Sequence, residues 1–358
     1  EMRRALPRAA RVWYGARTPG GPIRAAQEQV MEAQIRIGIV GYGNLGRGVE
    51  LAIAQNPDMA LVGIFSRRPP EAVSPLTDGV PVHRMEALDD MREAIDVLVL
   101  CGGSRDDLPV QSPALAASFN VVDSFDTHAR IEEHFRAVDA AARAGRRTAL
   151  IAAGWDPGLF SLNRLFGEAI LPVGATYTFW GRGVSQGHSD AIRRVPGVKA
   201  GVQYTIPSET AIARVRAGER PSFGTREMHR RECFVVLEAG ADPEEVRRAI
   251  QTMPHYFADY DTTVHFVGEE ELRREHGAMP HGGFVLRSGT TGRGTEQLVE
   301  YRLQLGSNPE FTASVLVAYA RAVHRLHAAG AYGAKTVFDV PPALLSPRSA
   351  EELRRELL

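Results

Sequence analysis

Two carboxylates stand where short apolar runs end. Asn120-Val-Val-Asp-Ser-Phe-Asp126 and Thr148-Ala-Leu-Ile-Ala-Ala-Gly-Trp-Asp156 each carry an aspartate at the end of a stretch that reads as a buried strand. Two acids facing one spot suit a cationic group, and a carboxylate there can take a proton from an amine. Neither role is needed to explain them locally. Asp156 before Pro157-Gly158 is an ordinary turn or cap residue, and Asp126 an ordinary strand-end residue. The choice depends on what surrounds them.

Upstream, Gly41-Tyr42-Gly43-Asn44-Leu45-Gly46 follows the apolar run Ile35–Val40 and opens a helical pattern. In that context each glycine has a task. Gly41 permits the turn, Gly43 lets the backbone approach a pyrophosphate, and Gly46 lets helix and strand pack closely. The helix N-terminus adds unpaired N–H groups and partial positive charge. The next strand ends in Phe65-Ser66-Arg67-Arg68, without the acid that would hold a ribose 2′-hydroxyl. Two guanidiniums and a hydroxyl suit the 2′-phosphate of NADP instead. Cys101 and Ser104 fall in the loop after a later strand, where Cys101 reads as a small cofactor-facing residue rather than a nucleophile.

These residues need a scaffold of alternating strands and helices, and the pattern supplies one. Strands are expected at IRIGIV, MALVGIFS, DVLVLC, NVVDSFD and TALIAAG, with helices at GRGVELAIAQ, PALAASF and HFRAVDAAARAG. This is a Rossmann-type doubly wound parallel sheet. Past Gly154 the strands lengthen and gain β-branched and aromatic residues, as in ATYTFWG, VQYTIP, ECFVVLEA, TTVHFV, GGFVLRSG and EQLVEYRLQL, with one helix at PEEVRRAIQTM. They predict a second α+β domain with a mixed sheet. The long helix NPEFTASVLVAYARAVHRLHAAG then returns to the first domain. His324 and His327 on it read as an exposed face, and no metal site is expected.

Composition narrows the classes. The 358 residues carry a net charge of −1, so no broad basic field exists for a nucleic-acid backbone. No long apolar run spans a membrane. Two cysteines, Cys101 and Cys233, suit a reducing, cytoplasmic compartment. Residues 1–34, rich in Arg, Ala, Gly and Pro, read as a disordered extension; their prolines and Gly-Gly pair weaken a transit-peptide reading.

From about Ile35 to about Ser346 the chain resembles the meso-diaminopimelate D-dehydrogenases. The likeness is carried by GYGNLGR, LVGIFSRR, DVLVLCGGS, VDSFD, GWDPG, TFWGRGVSQGHSDAIRRVPGV, HRRECF, MPHGG and NPEFTAS. The MHRRECF segment is similar to the longer-chain subgroup. The resemblance implies a homodimer with an NADP-binding domain at 35–153, completed by 308–346, and a substrate-binding and dimerisation domain at 154–307. It implies reversible oxidative deamination of the D-centre of meso-2,6-diaminopimelate, giving a keto acid and ammonia. Asp126 and Asp156 would lie near the reacting amine, with Trp155 and Trp180 shaping the pocket. Backbone around Gln186 and Gly187 would hold the adjoining carboxylate, and Thr205, Arg231, His281 and Asn308 the distal L-centre. The NADP(H) contacts would come from Gly41 to Gly46, Ser66, Arg67, Arg68, Cys101, Gly102, Gly103 and Ser104. Further contacts would come from Ser124, Phe125 and Asp126 and from Ala153, Gly154, Trp155, Asp156 and Pro157. One departure stands out: where the family pattern has a second acid after Asp126, this chain has Arg130.

Other classes compete. A semialdehyde-type dehydrogenase needs an activated cysteine, which neither Cys101 nor Cys233 is placed to supply. Homoserine-type enzymes want a site lysine, and Lys199 and Lys335 fall in no such motif. Dihydrodipicolinate-type reductases carry a His-His-x-x-Lys stretch that is absent here. A non-catalytic NADP-binding sensor would bind cofactor and reduce nothing.

Overall fold

The computed structural model describes residues 34–358, so the expected extension lies outside the described residues except for Gln34. A seven-stranded sheet is built from β1 (Ile35–Val40), β2 (Met59–Ser66), β3 (Val82–Arg84), β4 (Val97–Leu100), β5 (Val121–Asp123), β6 (Thr148–Leu150) and, from far along the chain, β14 (Gly333–Lys335). Its order is β14-β6-β5-β4-β1-β2-β3, parallel throughout. Helices cover both faces, which is why the central strands read as unbroken apolar runs. The order reverses between β1 and β4, and ligands bind beside such a switch point, outside the strands' C-terminal ends.

The long helix α6, from far along the chain, packs on this sheet. Helices are α1 (Asn44–Ala54), α2 (Leu108–Ala116), α3 (Ile131–Ala144), α4 (Leu159–Ile170), α5 (Gln186–Arg193) and α6 (Asn308–Ala328). Ser307 caps α6 and Pro309 opens its first turn. The helix packs across β4, β5 and β6 and against α1. Gly48 permits that approach, since a Cβ there would meet the Ala313 methyl at 2.9 Å. Arg321, 1% exposed, locks the junction. Its guanidinium grips both Asp58 oxygens at 2.6 and 2.7 Å and also donates to Asn56 and the Leu345 carbonyl.

Between β6 and α6 lie two smaller sheets. One is antiparallel, β13-β12-β7, from β7 (Val173–Trp180), β12 (His281–Thr291) and β13 (Thr295–Leu305). The other is mixed, β11-β10-β9-β8, from β8 (Gly183–Val184), β9 (Val198–Pro207), β10 (His229–Leu237) and β11 (Asp261–Phe266).

Three expectations need correction. The runs NVVDSFD and TALIAAG leave the sheet early, at Asp123 and Leu150. The buried Asp123 carboxylate accepts the Phe125 and Ala152 N–H groups and so bends both chains out of the ladder. The second domain has more than one helix: besides Pro243–Gln251 it holds α5, Glu209–Arg216, Thr225–Met228 and Glu269–His276. None of these is longer than eight residues, too short for a clear helical period, though the caps Ser185 and Ser208 mark two starts; the twelve-residue α4 also falls within 154–307. His324 and His327 are half-buried rather than exposed, His327 with its ring 5.5 Å from that of Tyr332. Among the described residues no cluster of three His, Cys, Asp or Glu side chains is placed to hold a metal.

Arg321→Ala should lower the unfolding free energy by about 3–5 kcal/mol, because it strands a half-buried carboxylate and two other acceptors. Urea unfolding checks this; a loss below about 1 kcal/mol would show that the clamp is dispensable.

Candidate active site

The first wall of the site is the C-terminal edge of the large sheet. Gly41 has φ +87°, and a Cβ on Gly46 would lie 2.4 Å from the Gly41 carbonyl oxygen, so neither position takes a larger residue. A Cβ on Gly43 would meet nothing within 4 Å and would project into open space over the turn. α1 begins there with no side-chain cap and no acid in its first turn, through Asn44 and Leu45. Its free N–H groups therefore suit a phosphate. A cavity of about 310 Å³ adjoins it, lined by Tyr42, Ser66, Arg67, Arg68, Cys101 and Gly102 among others. Arg68 donates to the Tyr42 carbonyl, and Arg67 reaches Asp107 at 2.8 Å. Asp107 also accepts the Gly103 N–H. These donors fit a 2′-phosphorylated dinucleotide. Burial pushes the Cys101 thiol well above its usual range, which removes it as a nucleophile.

Asp123 organises the next two loops. Fully buried, it accepts from Ser112 at 2.6 Å and His134 at 2.8 Å, besides the two backbone N–H groups already named. Phe125 is buried and stacks on His134, centroids 4.1 Å apart, so it can face a cofactor only through its backbone. Asp126 emerges exposed. Its N–H is held by Ser104 Oγ at 2.8 Å, and among the described residues its carboxylate has no hydrogen-bond partner. It lines a cleft of about 740 Å³ with Ser104, Thr127, Gly187, Asp190 and Tyr256, between the two domains. Arg130 lies on the surface, paired with Glu133 at 2.9 Å.

Asp156 has a different setting. Its side chain is 2% exposed and accepts Arg164 at 2.6 Å and the Trp180 indole N–H at 2.6 Å. It does not cap the following helix: Gly158 is the N-cap, and Ser161 accepts its N–H. The two aspartates are thus unequal, one saturated with donors and one free. Ala153 and Gly154 continue the buried strand end, and Pro157 completes the turn into α4. Trp155 donates to Asn308 at 2.9 Å and lies 4.8 Å from the His281 ring. Met279 draws the pieces together, its sulfur near the Asn44 and Gln186 amides and its carbonyl accepting the Asn308 N–H. Gln186 and Gly187 open α5, so their N–H groups are free first-turn donors.

Arg231 anchors the second wall. It is 6% exposed and has no acidic partner among the described residues. It donates to the Thr205 hydroxyl, faces the Tyr260 ring at 3.9 Å, and leaves its Nε–H unpaired. Burial lowers its pKa from the usual value. Three histidines near it are held neutral, first by burial and then by its charge. His281 and His229 are pushed down to about 4, with a backbone hydrogen bond partly opposing the shift at His281, and His188 to about 3. His281 Nδ1 accepts the Gly282 N–H at 2.8 Å, leaving Nε2 as a donor. Sequence reasoning missed Arg164, His229 and Tyr260 as site residues: His229 lies in the HRRECF segment without an assigned role, and Arg164 and Tyr260 meet the site through chain reversal rather than any local motif.

Each depressed histidine is neutral when folded and protonates at about 6.5 when unfolded. Their stabilisation is therefore complete above about 6.5 and lost as pH falls toward 4. His229→Gln keeps an acceptor for the Trp180 N–H that His229 Nε2 now takes at 2.9 Å. The variant should reduce the slope of stability against pH by about 1.4 kcal/mol per unit across that window. An unchanged slope in denaturation measured at several pH values would contradict this.

Comparison with known proteins places this geometry. The model of the diaminopimelic acid dehydrogenase C-terminal domain matches residues 154–307. The meso-diaminopimelate D-dehydrogenase of Acetivibrio thermocellus is 63% identical over 327 residues, 91% of this chain and 98% of its own. The C. glutamicum DAP dehydrogenase, solved in complex with DAP, is 47% identical with a TM-score of 0.85, covering 91% of this chain and all of its own. An engineered D-amino acid dehydrogenase solved with NADP+ is 45% identical with a TM-score of 0.81 over the same shares. The chain belongs to the meso-diaminopimelate D-dehydrogenase family.

Proposed function

We propose that the protein catalyses the reversible NADP-dependent oxidative deamination of the D-centre of meso-2,6-diaminopimelate. The products are L-2-amino-6-oxopimelate, which closes to tetrahydrodipicolinate, and ammonia, in lysine and cell-wall precursor biosynthesis. Its carrying observation is the buried guanidinium of Arg231 in the second domain, which has no acidic partner among the described residues, together with a free carboxylate, Asp126, on the interdomain cleft. A substrate with an amine and a carboxylate at each end matches both.

NADP+, held by the glycine turn, the α1 N-terminus and Ser66-Arg67-Arg68, supplies the hydride acceptor. The chain's own residues do the rest by placement and proton transfer. Asp126 takes the proton of the D-ammonium, directly or through water, since its oxygens carry no competing donor. Asp156 is a positioning carboxylate: bound to Trp180 and Arg164, it holds the tryptophan against the D-centre. Gln186 and Gly187 N–H groups hold the adjoining carboxylate. Thr205, Arg231, His281 and Asn308 hold the distal L-centre, His281 as a neutral donor. Trp155 joins Asn308 and His281 into one surface. The same reading assigns 35–153 with 308–346 to the cofactor domain and 154–307 to substrate binding, in the longer-chain subgroup.

The working unit is a homodimer in the cytoplasm. Support comes from apolar side chains exposed on neighbouring elements of the second domain: Ile170 and Val173, each 67% exposed, with Leu298 and Val299 on edge strand β13.

With NADP+ and meso-diaminopimelate the purified protein should produce reduced nicotinamide, detected by its near-ultraviolet absorbance, with the L,L- and D,D-isomers as controls. Asp126→Asn should lower kcat by roughly 10²–10⁴. No turnover of the meso isomer by the unmodified protein would overturn the function. Near-normal turnover by the variant would overturn the role of Asp126.

A further inference from the structure

Gln203 is completely buried on β9, two residues before Thr205 and on the same face of the strand. Its backbone is fully paired: the N–H donates to Ser189 Oγ at 2.9 Å and the carbonyl accepts from Ser185 at 3.1 Å. Its side chain is not. Nε2 lies 3.4 Å from Thr205 Oγ1, and Oε1 has no partner. A buried orphan carbonyl is destabilising, and a leucine would fill this place without that cost. Packing alone therefore does not account for the amide.

Thr205 shows what that is. A hydroxyl has one proton to give and two lone pairs to receive with. Register sets Thr205 opposite Arg231, whose Nη1 donates to Oγ1; Gln203 Nε2 donates to the same oxygen. Both lone pairs are then engaged, and the Thr205 proton has to point away from both donors. The opposite amide orientation would draw that proton inward onto Oε1 and leave both amide N–H groups without a partner, where the present one leaves one N–H and the carbonyl. We infer that Gln203 is a positioning residue that fixes the Thr205 hydroxyl as an outward donor, so that Thr205 and Arg231 together present donors alone and select a carboxylate over an ammonium at the far end of the substrate. This rests on the proposed function, in which that pair receives the distal carboxylate.

A mutant cycle with Gln203→Leu and Thr205→Val tests it. Gln203→Leu should raise KM for meso-diaminopimelate roughly tenfold, with kcat and the KM for NADP+ unchanged. The same variant should keep or raise the thermal midpoint, because it removes the orphan carbonyl. In the Thr205→Val background it should change KM no further, since no hydroxyl is left to orient. Gln203→Met serves if leucine disturbs folding. An unchanged or lowered KM, or an equal rise with and without the Thr205 hydroxyl, overturns the inference while leaving the function intact. A protein that does not oxidise meso-diaminopimelate at all overturns both.

Discussion

A guanidinium taken out of water without a counter-ion is the most demanding feature of this protein. Arg231 meets a hydroxyl and an aromatic face, and nothing acidic among the described residues. Burying such a charge costs several kcal/mol unless a partner arrives. Its surroundings bend to that fact. Thr205 spends a lone pair on it, and the guanidinium charge adds to the burial that mainly keeps His188, His229 and His281 neutral. An anionic group that enters the cleft gains a charge-assisted bond in a place already stripped of water.

The other end of the cleft depends on the large sheet. β5 and β6 are short because Asp123 draws their exits together, and the two loops that leave them carry Asp126 and Asp156. One aspartate is free and the other is spent on Arg164 and Trp180. The proposed split between proton transfer and positioning rests on that difference. Trp180 ends a strand of the second domain, and its bond to Asp156 ties that strand to the chain leaving β6. Asn308 does the same from α6, through Trp155 and Met279.

Much of this is legible in the sequence, for a physical reason. The glycine turn, Ser66-Arg67-Arg68 and the buried parallel strands are local patterns whose chemistry follows from spacing alone, and the structure has them where the spacing puts them. Asp156 is the instructive case. Locally it reads as a turn or cap, yet Gly158 does the capping, and the carboxylate is committed to an arginine eight residues on and a tryptophan on another strand. Arg164 and Gln203 carry no motif, and His229 stands in HRRECF with no local sign of its contact; strand pairing and chain reversal give them their surroundings. Buried Arg231 reads as a surface charge beside Arg230 until the register of β9 and β10 turns it inward. The departure at Arg130 resolves into a surface pair with Glu133.

The buried charge of Arg231 and its donors is best probed by the substrate group assigned to it. D-lysine keeps the D-centre and the far amine of meso-diaminopimelate and lacks only the far carboxylate. Its kcat/KM, measured beside that of meso-diaminopimelate under one set of conditions, isolates that group. Roughly 10⁴–10⁵-fold discrimination is expected if the distal donors are left unpaired by the smaller ligand. A ratio within about tenfold would mean that Arg231 does not await a carboxylate, and would contradict the account at its centre.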